Sequence, residues 1–399
     1  MTTEPVSRRI AGIAATLGPV LQFFTTSAWA HHQGDPGIAD FALGNPHEMP
    51  LPAFANALKH WSAPQNKDWF AYTNNDPTAQ ALVAQTLRER YSVTFEAQDI
   101  FMTNGAFAAI AAALAAIVDP GDQVIFISPP WFFYEALIVS AGAQAVRVSA
   151  DSLTFDLDLD AIAAAITERT RAIIINSPNN PTGRIYPPET LKQLATVLST
   201  ASERNGRPIY LLSDEAYSRI IFDDRHFDSP TAFYPYALLL YTYGKTLLTP
   251  GQRMGFIALP PSMPDRERLR PALFLAQLVT GYAFPNALLQ HALPDLEGLS
   301  IDIAHLQRKR DRLTAALHAM GYWVNLPEGT FYLLARSPIA NNQAFTEILA
   351  EQNVFVLPGA VVELPGYFRI SLTANDEMIE RALPGFQVAL QRASSKAAV

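Results

Sequence analysis

A lysine, an aspartate, an asparagine, a tyrosine and an arginine stand in this chain in local settings that together describe one chemistry. Lys245 follows the apolar run Leu238-Leu239-Leu240-Tyr241, which reads as a buried strand, and lies in Thr242-Tyr243-Gly244-Lys245-Thr246. Arg253 comes eight positions later, in Pro250-Gly251-Gln252-Arg253-Met254-Gly255. Upstream stand Ser177-Pro178-Asn179-Asn180-Pro181-Thr182-Gly183 and Ser213-Asp214-Glu215-Ala216-Tyr217. A lone lysine at a strand end is usually a solvated terminus, but these neighbours give it work. An amine in a dry pocket forms a Schiff base with an aldehyde. A carboxylate keeps a pyridinium nitrogen protonated, which makes the ring an electron sink. An amide and a phenol suit a ring oxygen, and an arginine beside the free N–H groups of a helix start suits a phosphate. Lys245, Asp214, Asn180 with Tyr217, and Arg253 fill those roles in that order. The molecule that asks for all of them is pyridoxal 5'-phosphate (PLP).

On these motifs the chain resembles the class I/II aminotransferases, the aspartate-aminotransferase-like branch of the fold-type I PLP-dependent enzymes, from about residue 40 to about residue 375. Asn-Pro-Thr-Gly and Asp-Glu-Ala-Tyr are weak alone. With a strand-end lysine and Gly-x-Arg-x-Gly in this order they are specific. The resemblance implies an α/β fold: a large domain with a mostly parallel seven-stranded sheet between helices, and a small α+β domain. Residues 1–50 would be an N-terminal helix and arm joining the small domain, 51–275 the large PLP-binding domain and 276–399 the small one. It implies transfer of an amino group between an L-amino acid and a 2-oxo acid, by a cytoplasmic homodimer with shared active sites. Lys245, Asp214 and Tyr217 would be catalytic. Trp131 would stack on the cofactor ring, with Tyr134 a further residue of its motif. Gly44 and Asn180 would face the substrate, and Arg369 would clamp its carboxylate. Tyr72 would reach the phosphate of the neighbouring subunit.

The chain departs from the family pattern in places. Thr242 replaces a serine and keeps a hydroxyl for the phosphate. Gly244 replaces a small hydroxyl residue before the lysine. Asn74-Asn75-Asp76-Pro77 replaces a glycine-rich pattern after Tyr72. Phe107 stands where dicarboxylate-specific relatives of one branch carry a lysine, and with Phe23, Phe24 and Trp29 it hints at an apolar substrate. Other PLP reactions use the same cofactor residues: a C–S lyase, a decarboxylating synthase, or an amino-acid oxidase or deaminase.

The elements around these residues alternate. Phe101 to Thr103 reads as a strand, and Asn104-Gly105-Ala106 opens an alanine-rich helix whose first N–H groups form a phosphate cup. Further apolar strands are expected at 123–128, 172–176, 209–213, 238–242 and 255–259, with a helix at 188–204 and a helix end at 162–170. Apolar strands separated by helices indicate a parallel sheet buried on both faces, with ligands at the carboxyl ends of its strands. After Arg270 the pattern changes to helices at 271–293 and 301–320 and short strands around a helix at 342–352. Arg369 lies in the last of these strands, where an unpaired buried charge needs a partner.

The 399 residues are 49% hydrophobic and 17% charged, with a net charge of −8. That composition suits a two-domain enzyme, and the acidic balance with no basic stripe argues against nucleic acid. The absence of cysteine excludes disulfides and thiolate nucleophiles. No histidine spacing suggests a metal, and Asp156, Asp158 and Asp160 read as a solvated connection. His31-His32 is expected in a loop, and Arg392–Val399 as a frayed tail. Arg8-Arg9 before an apolar stretch and Ala28-Trp29-Ala30 imitate a secretory signal, but Gly18-Pro19 interrupts the stretch, which reads as an amphipathic helix and arm. No run reaches the ~20 apolar residues of a membrane span.

Overall fold

The computed structural model describes residues 5–91 and 93–397. Among them, the apolar runs become strands of two sheets. We number the strands in chain order: β1 Ala39–Phe41, β2 Ile100–Thr103, β3 Gln123–Ser128, β4 Gln144–Ser149, β5 Thr170–Asn176, β6 Tyr210–Asp214, β7 Ala237–Thr242, β8 Gly255–Ala258, β9 Val324–Asn325, β10 Tyr332–Arg336, β11 Val354–Pro358 and β12 Tyr367–Ser371. The larger sheet has the order β2-β8-β7-β6-β5-β3-β4. Only β8 runs against its neighbours; the pairs β6–β7, β5–β6, β3–β5 and β3–β4 are parallel. The mostly parallel seven-stranded sheet is as expected. Of its middle strands, β7 is buried along its whole length and β5 and β6 at all but one residue each, because helices cover both faces.

The helix Gly105–Ile117 is one such cover. Every residue but Phe107 either lacks a side chain larger than a methyl group or buries a full aliphatic one, and alanine is the strongest helix former. The helix Pro188–Asn205 starts on a proline and stops at Gly206 in the left-handed conformation, the usual asymmetry of helix ends. The second sheet has the order β1-β11-β12-β10-β9. β1 joins it in parallel with β11, so the N-terminal arm is built into this sheet. The apolar N-terminal stretch forms three short helices, Arg8–Thr16, Gly18–Thr26 and Ala28–His32, and buries Phe23 and Trp29 beside Phe355 and Leu357. No single described helix is long and apolar enough to cross a membrane; the N-terminal helices reach that only as a pair bent by 70°.

Several expectations need correction. The helix expected at 271–293 is three pieces, Arg266–Val279, Ala287–His291 and Leu293–Leu296. Gly281 and Phe284 take positive φ angles between them, and Pro285 follows; apolar periodicity alone hid that break. Leu289, Leu293 and Leu296 pack with Leu239 and Phe256 of the seven-stranded sheet. The helix expected to end near 170 ends at Ala165, and β5 begins at Thr170. His31 and His32 close a helix rather than lie in a loop, and Arg392–Ala397 continues the helix from Asp376. Asp156 is not merely solvated but pairs with Arg184 at 3.0 Å, and Asp158 caps the helix Leu159–Ala165.

The two sheets are sewn together beside the Asn179–Gly183 loop. Gly183 O accepts from the N–H groups of Glu328 and Gly329, and Asn325 Nδ2 donates to Thr182 O. Gly183 has φ +73°, and a Cβ there would lie 2.2 Å from Pro327 Cβ. Gly183→Ala therefore combines a left-handed conformation with overpacking, and should destabilise the protein by about 2–4 kcal/mol. Urea unfolding of the purified variant checks this; a loss below about 0.5 kcal/mol would show that the loop junction relaxes freely.

Candidate active site

β5, β6 and β7 end side by side, and their carboxyl ends deliver the site. Asp214 is the last residue of β6, one position earlier than a loop placement would put it. Lys245 lies in the short helix Tyr243–Thr246 directly after β7, and Asn180 in the loop after β5. A cavity of about 220 Å³ opens there. Lys245, Asp214, Asn180, Tyr217, Thr242 and Arg253 all line it, as do Ala106 and Trp131. Residues separated by more than a hundred positions in sequence are thus brought to one hollow.

Asp214 is buried, and burial pushes its carboxyl above the usual range. Tyr134 Oη donates to its Oδ2 at 2.5 Å, and Ala216 N donates to Oδ1 at 3.2 Å; both favour the carboxylate, as does the charge of Lys245. Asn176, the last residue of β5, donates from Nδ2 to Asp214 O and accepts at Oδ1 from Asn180 N. It ties the two strand ends to each other. Sequence reasoning passed over Asn176; the available sign was a polar residue closing an otherwise apolar strand.

At the far end, Gly105 opens its helix with φ +81°. A Cβ on it would lie 2.6 Å from Arg253 Nη2 and 3.3 Å from Thr242 Oγ1. The backbone, the guanidinium and the hydroxyl therefore converge at a helix N-terminus, which is the arrangement that binds a phosphate. The donor set fits PLP: an amine, a buried carboxyl, an amide and a phenol, and an anion cradle at the opposite end.

Arg369 does not line the cavity. It is buried and stands behind Asn180, donating from Nη1 to Asn180 Oδ1 at 2.8 Å and from Nη2 to Ala42 O at 3.0 Å. It has no carboxylate partner among the described residues, and its buried Nε has no partner at all. A salt bridge therefore does not explain it. Its guanidinium stacks 3.9 Å above the ring of Tyr332. Tyr332 was not anticipated. Burial works against its ionisation, but the charges of Arg369 and Lys245 outweigh that and make it more acidic than usual, whereas burial pushes its partner Tyr217 up. Gly44 is needed because a Cβ there would meet Tyr332 Oη at 2.5 Å. Tyr72 is placed apart: it is 89% exposed, with its ring 5.0 Å from that of Phe284.

A seven-stranded sheet with a lysine, an aspartate and an anion cradle at its carboxyl edge defines a fold-type I enzyme. The family model for aminotransferase class I and II matches residues 36–386. The aspartate/prephenate aminotransferase of Thermus thermophilus is 31% identical over 82% of this chain and 85% of its own. An amino transferase from Eubacterium rectale superposes with a TM-score of 0.86 at 30% identity, over 98% of this chain and 96% of its own. Thermus thermophilus aspartate aminotransferase with maleate gives 0.82 at 26% identity, over 97% and 100%. A tetra mutant of that enzyme complexed with tryptophan gives 0.81 at 26%, over the same shares. The chain belongs to the class I and II aminotransferases, a family that works with PLP, and it is a transaminase.

Beside Asp214 sits a second buried acid. Glu215 accepts from Ser213 and Ser229 at Oε1 and from Tyr91 at Oε2, and burial raises its pKa from 4.5 to about 7. Between these values the folded protein holds a proton that the unfolded chain has lost, so stability falls as pH rises from about 4.5 to about 7, by about 3 kcal/mol in all. Glu215→Gln keeps an acceptor for both serines and should flatten that slope. Urea midpoints at pH 5 and pH 8 test it; an unchanged slope in the variant would place the pH dependence elsewhere.

Proposed function

We propose that this transaminase holds PLP in the cavity with Lys245 as the amine that binds it and moves the substrate proton. The observation that carries this is the meeting of Lys245, Asp214, Asn180 and Arg253 in one hollow, with the Gly105 cradle at its end. When bound, PLP supplies an aldehyde for the substrate amine and a protonated ring that takes up the electron pair left at Cα. Asp214 keeps that ring nitrogen protonated, and Tyr134 fixes its carboxylate. Asn180 and Tyr217 donate to the ring oxygen. Thr242, Arg253 and the N–H groups of Gly105 and Ala106 hold the phosphate. Trp131 covers one ring face and excludes water. Arg369 takes the α-carboxylate, with Gly44 leaving room for Tyr332 behind it. Lys245, half-buried among aromatic rings, would take the Cα proton as general base and deliver it as general acid to the carbon that had been the cofactor's aldehyde carbon. The substrates are an L-amino acid and a 2-oxo acid. The scaffold alone does not choose among them, since Thermus thermophilus aspartate aminotransferase is described with maleate and a tetra mutant of the same enzyme with tryptophan.

The same proposal includes a homodimer with shared sites, in which Tyr72 reaches the partner's phosphate. Its support is that Tyr72 is exposed and outside its own chain's cavity. We place the division between the two units near residue 300, because the helices up to Leu296 pack on the larger sheet; the N-terminal residues go with the smaller unit. A cytoplasmic location rests on the resemblance alone.

Borohydride reduction of the holoenzyme should fix a pyridoxyl label on Lys245, and Lys245→Ala should lose both label and turnover. Asp214→Asn should keep its fold and lose several orders of magnitude in turnover. A label on another lysine, read by peptide mass, rejects the assignment.

Mixing two inactive variants tests the shared site. Heterodimers of Tyr72→Ala and Lys245→Ala carry one site with both native residues if Tyr72 acts across subunits, so activity should return toward a quarter of native on mixing equal amounts. Demonstrated heterodimers without recovery would assign Tyr72 to its own chain or to no role.

A further inference from the structure

Lys245 stands on a helix of only four residues, Tyr243–Thr246. A single turn is marginal by its own hydrogen bonds, so the place of the lysine depends on what holds that turn from outside. Its neighbours on both sides are held. Tyr243 donates from Oη to Glu297 Oε2 at 2.5 Å. Thr246 shares a hydrogen bond with Tyr241 Oη at 2.7 Å, and its carbonyl accepts from Ile301 N at 2.9 Å.

Glu297 has a second partner. Arg219 donates from Nη2 to Glu297 Oε1 and from Nη1 to Glu297 O, the latter at 2.9 Å. The same guanidinium lies 4.9 Å over the Tyr241 ring and 5.4 Å over the Tyr243 ring, and those rings meet edge to face at 5.2 Å. Arg219 comes two residues after Tyr217. One carboxylate therefore takes the segment of Tyr217 at one oxygen and the segment of Lys245 at the other. Lys245 Nζ itself lies 5.6 Å from the centre of the Tyr217 ring.

Glu297 belongs to neither segment. It follows the helix Leu293–Leu296 and precedes the helix Ile303–Met320, whose Leu306, Leu313 and Leu317 pack with the smaller sheet. Glu297, Arg219 and Tyr243 lie outside the cavity lining. Glu297 and Tyr243 are buried, and the Arg219 side chain is 12% exposed. An ion pair taken this far from water is a weak source of stability, because desolvation offsets its attraction. Its hydrogen bonds are nevertheless directional. Burial, with the Glu297 carboxylate beside it, pushes the Tyr243 phenol well above its ordinary range, so it stays a donor.

Resting on the reading of Lys245 as the amine that binds PLP, we infer that Glu297 is a positioning residue for the reaction. Through Tyr243 and Arg219 it sets where Lys245 stands relative to Tyr217, and so relative to the cofactor that both would meet.

The test is a double-mutant cycle on cofactor binding. PLP dissociation constants are measured for the unaltered protein and for Tyr243→Phe, each with Lys245 and with Lys245→Ala. Tyr243→Phe removes one hydroxyl and leaves the Arg219–Glu297 pair, so the fold should stand, and thermal unfolding checks it. With Lys245 present, PLP should bind about tenfold more weakly, because the linkage must form from a displaced amine. In the Lys245→Ala background the same change should alter affinity by less than about twofold. Glu297→Gln, the second variant, should show the same dependence on Lys245. In the half-reaction followed by cofactor absorbance, with the fastest of the twenty amino acids, Tyr243→Phe should lower the limiting rate about tenfold and leave the half-saturating concentration nearly unchanged. Equal losses of PLP affinity with and without Lys245 would mean that the whole cavity has loosened, and no loss in either would mean that the hydroxyl is idle; each overturns the inference. Borohydride labelling keeps the two readings apart. A label on another lysine of the unaltered protein rejects Lys245 as the amine, and this inference with it. A label on Lys245 with no coupling in the cycle rejects the inference alone.

Discussion

Asp214 is a carboxyl group taken out of water in the middle of a parallel sheet, and much of the surrounding structure exists to make that tolerable. Removing a carboxylate from solvent without partners costs several kcal/mol. Here a phenol and a backbone N–H meet its two oxygens, and Lys245 adds a nearby positive charge. The phenol comes from Tyr134, whose helix starts just beyond β3, so the carboxyl is held by an element two strands away in the sheet order. Asn176 closes the frame by bonding Asp214 through its backbone and Asn180 through its own amide oxygen.

The second sheet depends on the same frame. Arg369 extends from β12, yet its bonds go to Asn180 beside the first sheet and to Ala42 just after β1. Glu328 gives a parallel connection, accepting from Arg184 and from Ile185 N. Arg310 makes a bidentate pair with Asp223 and also reaches Pro327 O. Polar bridges of this kind are directional, so they fix how the sheets face each other more tightly than apolar contact would. The arginine proposed for substrate is therefore also a strut, and its unpartnered Nε marks where the strut is incomplete.

The sequence was most legible where chemistry and a simple period coincide. Lys245, Asp214 and Asn180 each follow or close an apolar run too short for a helix, and such runs in a parallel sheet point their carboxyl ends at the ligand. β4 escaped because its burial alternates irregularly at the sheet edge, with Gln144 and Arg147 exposed. The break after Val279 escaped because positive φ at Phe284 is a tertiary outcome that no propensity announces. Asn176, Tyr332 and Glu215 escaped for a different reason. Their importance lies in partners 38 positions away for Asn176 and 124 for Glu215, and for Tyr332 in Arg369 from a neighbouring strand. A single residue type carries no trace of such a partner.

The helix start at Gly105 and the ring of Phe107 are coupled by helix geometry. Gly105 is the first residue of its helix, and the first four N–H groups of any helix lack internal partners. The helix start can serve an anion only if the backbone comes close to it, which is why Gly105 sits against Arg253 without a side chain. Phe107 is then the third residue of the same turn, and it packs on Trp131. Its N–H is one of the unpartnered groups of the helix start whatever its side chain is, except proline. The position therefore joins a fixed backbone duty to a free choice of side chain. A scaffold arranged this way can change the side chain at residue 107 while keeping the close backbone approach at residue 105.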